Sequence, residues 1–170
     1  RSSTACACSR RSISSSWVKK FDTPYLRDFL MNYQVFGDVC DTGATWSKIN
    51  EVHSKVYDAF YAVQAEQDLP GFMFCHMSHS YHAGACLYFT FAFPYSSDEQ
   101  ALEQYYAAKN AVQQTFVDLG STVSHHHAVG TEHQPWITED IGEVGERMIK
   151  GLLADNDPGR NLNPGKITSP

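Results

Sequence analysis

The sequence has no surplus of positive charge. Lys plus Arg number 13 against 19 Asp plus Glu, a net charge of −6, so the electrostatic footprint of a nucleic-acid binder is missing. No run of about 18 apolar residues occurs, so no transmembrane helix is expected. Cysteine is sparse and odd in number, five in all with no CxxC spacing, which fits neither a disulfide framework nor a zinc ribbon. Cys40, Cys75 and Cys86 lie among apolar residues and read as buried thiols in a reducing compartment. No internal repeat is visible. What the chain does have is 170 residues, 42% of them hydrophobic and 13% aromatic, enough for one domain with a real core.

The stretch from Arg1 to Ser16 is rich in Ser, Arg and Cys and has no acidic residue. It reads as a processed or targeting-type head, so residues 1–20 are set aside as disordered or processed, with order expected from near Trp17. The main domain is expected over 21–134, and a terminal helix and tail over 135–170. Thr23 before Pro24 marks a helix start, running to about Asn32. Val35 to Thr42 is a plausible strand. Ile49, Val52, Val56, Phe60 and Val63 keep helical spacing, and Leu69-Pro70-Gly71 turns the chain. Two strands follow, Phe72 to Tyr81 and Ala85 to Phe93. In the second, Ala85, Leu87, Phe89, Phe91 and Phe93 share one face. The other face carries Cys86, Tyr88, Thr90 and Ala92, the profile of a pocket wall. Ser97 and Gln100 form a capping box for a helix that Gly120 ends. Ser121 to Gly130 is strand-like, and Ile137, Ile141, Val144, Met148 and Leu152 mark a last helix. This order predicts an α+β fold, an antiparallel sheet covered by helices on one face.

Histidine is concentrated. Seven of the eight lie between His76 and His133, and His125, His126 and His127 are consecutive. In extended backbone His125 and His127 point one way and His126 the other, so one ion is not readily ligated by all three. A metal would need a further ligand, with His79 or His133 as candidates, and no HxxxH pair supports one. No metal is expected. Two readings stay open: a solvated or stacked histidine turn, or an acid–base loop, because imidazole takes and returns protons near neutral pH. Tyr88 is either an amphipathic core residue or a pocket phenol. Arg27 is either one half of a surface salt bridge or a clamp for an anionic group.

Four segments taken together narrow these options. They are Tyr25-Leu26-Arg27-Asp28-Phe29-Leu30 with Trp46-Ser47-Lys48 downstream, Ser80-Tyr81-His82-Ala83-Gly84-Ala85-Cys86-Leu87-Tyr88-Phe89, Ser124-His125-His126-His127-Ala128-Val129-Gly130, and Leu162-Asn163-Pro164-Gly165-Lys166. In this order they resemble the C-terminal part of the FAD-linked oxidases of the vanillyl-alcohol oxidase superfamily. Within it they are most similar to the alkyldihydroxyacetonephosphate synthases (alkylglycerone-phosphate synthases) of ether-lipid synthesis. The resemblance implies a ferredoxin-like cap domain over 21–134 and FAD as cofactor. It also implies exchange of acyl for alkyl on dihydroxyacetone phosphate through an adduct at flavin N5, with no net oxidation. Tyr88 would accept and return a proton, Arg27 would hold the substrate's anionic end, and His126 and His127 would assist proton transfer. His125, His126, His127 and Asn163 would contact the cofactor.

His82 stands where the family pattern suggests an acidic residue. The family's FAD-binding domain, which holds most of the cofactor, has no counterpart in this chain. The resemblance therefore implies that the chain alone is not competent. Its expected partners are an FAD-binding domain on the same or another polypeptide, a small-molecule or lipid-like substrate, and a second copy in a homodimer. The alternative is an FAD-linked oxidoreductase of a 2-hydroxyacid, of glycolate or D-lactate type. That group carries an HxxDGNLH-like strand and a metal-binding EHG loop, which Tyr88 and His126-His127-Ala128 replace here. A non-catalytic cap fragment is the third option. The expected location is cytoplasmic, or peroxisomal or membrane-associated for a eukaryotic ether-lipid enzyme.

Overall fold

The computed structural model describes residues 23–168, so the expected head over 1–20 lies outside them. Helix α1 (Thr23–Met31) leads into strand β1 (Val35–Thr45), helix α2 (Ile49–Glu66), and strands β2 (Phe72–Ser80) and β3 (Gly84–Pro94). Helix α3 (Ala101–Asp118), a 3₁₀ turn at Gln134–Trp136 and helix α4 (Ile137–Asn156) complete the order. The strands form one antiparallel sheet in the order β1-β3-β2. Helices α2 and α3 cover one face, giving the α+β architecture expected.

Period explains the layering. The alternating residues Leu87, Phe89, Phe91 and Phe93 of β3 are all buried, and they meet Val52, Val56 and Phe60 of α2 and Val112 and Phe116 of α3. Phe89 and Phe91 have no exposed surface at all, and full burial of a phenylalanine contributes roughly 1.5–3 kcal/mol. Because β3 is central, its other face cannot be covered by the same helices. That face is where Cys86, Tyr88, Thr90 and Ala92 emerge, opposed by Gly43, Asp41, Val39 and Gly37 of β1. On β2 the register shifts between Met77 and His79, so that Ser78 has no partner.

A second polar group, buried Lys109 with half-buried Asp38, joins β1 to α3. Lys109 Nζ donates to Asp38 Oδ2 and to the Val39 carbonyl, both at 2.8 Å, and lies 3.3 Å from Glu132 Oε2. The Tyr105 hydroxyl donates its one hydrogen to Asp38 Oδ2 at 2.5 Å and lies 3.0 Å from Glu132 Oε1.

Two expectations are corrected. Ser121 to Gly130 is not a strand. Thr122 exchanges backbone hydrogen bonds with Gly43 only once, Thr122 N donating to Gly43 O at 3.2 Å. Beyond it the loop's amides turn to the Asp41 carboxylate instead of a ladder. Val123 and Val129 anchor the loop against Trp136, Ile137 and Val117. The capping box also does not form, since the residue before α3 makes no side-chain cap. The Gln100 amide bonds the Ser97 carbonyl in a turn, and the neighbouring Ser96 takes the reciprocal side-chain bonds of Gln104. Helix α4 has the expected apolar stripe but is interrupted at Gly142 (φ 73°). Its residues Val144, Met148 and Leu152 are exposed. No helix among the described residues is long and apolar enough to cross a membrane.

A candidate active site on the open face of the sheet

Strand register brings three polar side chains to one face. Asp41 of β1 sits directly opposite Tyr88 of β3, and His76 of β2 sits opposite Tyr88 on its other side. Asp41 is 2% exposed and is the organising residue. Its Oδ2 accepts the backbone N–H of His125 (3.0 Å) and of His126 (2.7 Å), together with His126 Nδ1 at 3.0 Å. Its Oδ1 accepts the Ser124 hydroxyl at 3.1 Å and faces His127 Nδ1 at 2.8 Å. An anion in so dry a place is tolerable only with this many donors. Burial pushes the Asp41 carboxyl upward, but the His126 amide, His127, the His125 amide and the His126 ring outweigh it and hold it below its ordinary value.

The histidines and tyrosines then pack as a continuous aromatic patch. Tyr88 stacks on His126 (centroids 5.5 Å, planes 20° apart) and meets His127 edge-on at 5.1 Å. His76 covers its other side at 4.8 Å. Burial first, and the Asp41 charge second, push the Tyr88 phenol above its ordinary value. His79 approaches His125 and His126 at 5.2 and 5.4 Å. The Tyr81 hydroxyl lies 3.0 Å from His125 Nε2. Beside Tyr81 opens a cleft of about 620 Å³ lined by Trp46, Met77, Ser80, Tyr81 and His82.

The three consecutive histidines therefore converge, where an extended backbone would have separated them. Two sets of ligand atoms come within 4.8 Å of one another: those of His79, Cys86, His125 and His126, and those of Asp41, His126 and His127. Either set could hold a divalent ion. His133 stands outside both, accepting the Gly130 N–H at Nδ1. Cys86 is fully buried, and burial pushes its thiol up. Cys40 is pushed up to about 12 by the same cause; these two are buried as expected, whereas Cys75, expected buried as well, is only half-buried.

Arg27 and Asn163 are not drawn into this cluster. Arg27 is exposed on α1. Asn163 is exposed in a positive-φ turn (φ 46°) of the tail, beside a small cavity of about 100 Å³ under the end of α4. The tail does return toward the histidine loop, with Lys166 Nζ donating to the Thr131 hydroxyl. Asp41 is what sequence reasoning missed; His79, named there as a candidate further ligand, does join the cluster, and His133 does not. An acid inside Val39-Cys40-Asp41-Thr42 resembles a loop signal, although its odd-numbered parity with Val39 already assigns it to the face opposite Cys40.

The donor set is compatible with the edge of a planar, polar heterocycle such as a flavin. Stacked rings offer aromatic surface, and half-exposed imidazoles offer both donors and acceptors. The chain belongs to the FAD linked oxidases, C-terminal domain family, whose pattern matches residues 9–167. Among relatives, the alkyldihydroxyacetonephosphate synthase of Dictyostelium discoideum is 32% identical over 153 residues, covering 89% of this chain and 25% of that protein. The synthase of the same name from Trypanosoma brucei brucei is 34% identical over 149 residues, covering 88% of this chain and 24% of that protein. A solved structure of an alkyldihydroxyacetonephosphate synthase superposes with a TM-score of 0.61 at 26% identity, over 88% of this chain and 24% of that one. The chain thus spans about a quarter of the length of the curated relatives it matches.

Proposed function

We propose that this chain is the cap, or substrate-facing, domain of an FAD-dependent enzyme that exchanges acyl for alkyl on dihydroxyacetone phosphate, a step of ether-lipid synthesis. The observation that carries the reading is the convergence of Tyr88, His126 and His127 around one buried carboxylate, on a face that α2 and α3 leave open. FAD, when bound, supplies the electron-storing centre of the exchange. Tyr88 enters the cycle as a neutral phenol, because burial and the Asp41 charge oppose phenolate. It donates a proton from its hydroxyl and takes one back. His126, stacked on the phenol, and His127, edge-on to it, accept that proton or pass it to solvent. Arg27 offers a five-donor fork to the substrate's phosphate. His125 and Asn163 are assigned to the cofactor side. The rest of the flavin site comes from an FAD-binding domain on the same or another polypeptide, and homodimerisation and a cytoplasmic or peroxisomal location belong to the same proposal.

A second reading, an FAD-linked oxidoreductase of a 2-hydroxyacid, is favoured by the two convergent ligand sets, which suit a metal-assisted acid substrate. One experiment separates them. The chain, joined to its FAD-binding part, is given acyl-dihydroxyacetone phosphate and labelled fatty alcohol, and separately glycolate or D-lactate with a redox dye. Label incorporation without dye reduction supports alkyl transfer. Dye reduction without incorporation overturns it in favour of the oxidoreductase, and bound flavin with neither activity marks a non-catalytic cap.

A further inference from the structure

The proton-transfer reading above treats three adjacent imidazoles as a group, but their surroundings are not equivalent. Resting on that reading, we infer that Asp41 is a positioning residue that sets the tautomers of the three histidines unequally: His126 and His127 carry their proton on Nδ1 and leave Nε2 bare, whereas His125 carries its proton on Nε2.

The argument is one of donor accounting. An ionised carboxylate only accepts. The Asp41 side chain is 1% exposed, so no bulk water stands between it and the rings it faces. His126 Nδ1 lies 3.0 Å from Oδ2 and His127 Nδ1 2.8 Å from Oδ1. A bare Nδ1 at either distance would press a lone pair against an anion, so both nitrogens carry hydrogen. His125 is then determined in turn. Its Nδ1 is 3.2 Å from His126 Nδ1, which carries a hydrogen and so has no lone pair to accept with, and a second hydrogen there would clash, so the His125 nitrogen is bare. Its proton is left on Nε2, 3.0 Å from the Tyr81 hydroxyl oxygen. The consequence is a division of labour. His126 and His127, the two rings packed against Tyr88, then have Nε2 lone pairs with which to accept a proton. His125 presents an N–H and is a donor toward Tyr81.

The carboxylate's two oxygens are also unequal, which makes the inference specific. Oδ2 serves two fixed backbone donors besides His126, while Oδ1 serves Ser124 and His127. In Asp41→Asn the single carbonyl oxygen must stay with the backbone amides, so the NH₂ group falls opposite His127. The Ser124 hydroxyl can accept from that group, and His127 can do so only by baring Nδ1. His127 alone should therefore switch to the Nε2–H tautomer.

Long-range ¹H–¹⁵N spectra of the imidazoles in this chain test the inference, recorded well above the ordinary imidazole pKa of about 6.5. The expected wild-type pattern is Nδ1–H at His126 and His127 and Nε2–H at His125. Nε2–H at His126 or His127, or Nδ1–H at His125, overturns it. In Asp41→Asn, a switch at His127 with His126 unchanged supports the assignment, and a switch at His126 instead refutes it. Should that variant not fold, the wild-type spectrum decides alone. The measurement needs neither flavin nor turnover, so failure of the alkyl-transfer proposal and failure of this inference give different results.

Discussion

Replacing Lys109 by Met removes the one cation from a dry junction between β1 and α3. Lys109 Nζ donates to Asp38 and to the Val39 carbonyl at 2.8 Å, and its side chain is only 6% exposed, against 28% for Asp38. Met keeps most of the apolar stem, so lost packing is a minor part of the change, although the ammonium's 5.9 Å approaches to the Phe91 and Tyr105 rings are lost with the charge. The dominant cost is the stranded Asp38 carboxylate. Breaking a buried pair by removing one partner costs about 3–5 kcal/mol. The lower end applies, because Asp38 keeps some contact with water and retains its bonds from Tyr105 and the Val39 amide. For a chain of this size about 3 kcal/mol corresponds to a fall in Tm of roughly 6–12 °C. The pH dependence carries a sign. In the wild type, burial raises the Asp38 carboxyl, but Lys109 and Tyr105 outweigh it and the net shift is downward from 3.8. Its contribution is complete above 3.8 and is lost as pH falls through the depressed folded value. Without Lys109 burial dominates, the folded value rises, and protonation relieves the penalty as pH falls. The Tm gap between wild type and Lys109→Met should therefore be widest near neutral pH and narrow in acid, and Asp38→Asn in the same background should recover part of it. Thermal melts across pH on the purified chain make the test. A loss under about 1 kcal/mol, with a gap independent of pH, would refute the reasoning.

Further outcomes are expected elsewhere. Tyr88→Phe in the enzyme reconstituted with its FAD-binding part should lower turnover at least about a hundredfold with the fold intact, and a near wild-type rate would remove the hydroxyl from proton transfer. Arg27→Lys should raise KM for the phosphorylated substrate more than it weakens FAD affinity, because a point charge replaces a fork; equal losses in titrations of both would indicate a structural role. Gly84→Ala should destabilise the chain by about 1–3 kcal/mol or more in urea melts, since the added Cβ would run into the Ala44 carbonyl and backbone across the β1–β3 pair.

Much of the fold was legible because β3 and the two covering helices obey their periods. Leu87, Phe89, Phe91 and Phe93 alternate into the core, and the spacing from Ile49 to Phe60 matches the buried stripe of α2. The histidine loop was misread for a physical reason. A segment rich in Val, Ser and His looks extended, but its donors are satisfied by a carboxylate 83–85 residues earlier in the chain, which no local pattern announces. Asp41 itself was passed over because an acid usually ends a strand. Here it is retained by five donors that exist only after the chain has folded back. The capping box failed similarly, since the turn at Ser97 and the Gln104–Ser96 pair supply the alternative partners.

The skipped residue on β2 has an effect out of proportion to its size. His76 and His79 are three apart, an odd interval, and in an unbroken strand they would project to opposite sides. The shift between Met77 and His79 pairs His79 with Cys86 and His76 with Tyr88, two β3 residues an even interval apart, so both imidazoles reach the same side. Ser78 thus acts as a parity inverter: Met77 before it pairs with Leu87, and the next imidazole is turned to the side of Tyr88 and Cys86. Were Ser78 instead to pair with Cys86 in an unbroken ladder, His79 would turn toward the helices and the patch would lose a ring that now packs against both His125 and His126; deleting that one serine would keep His79 opposite Cys86.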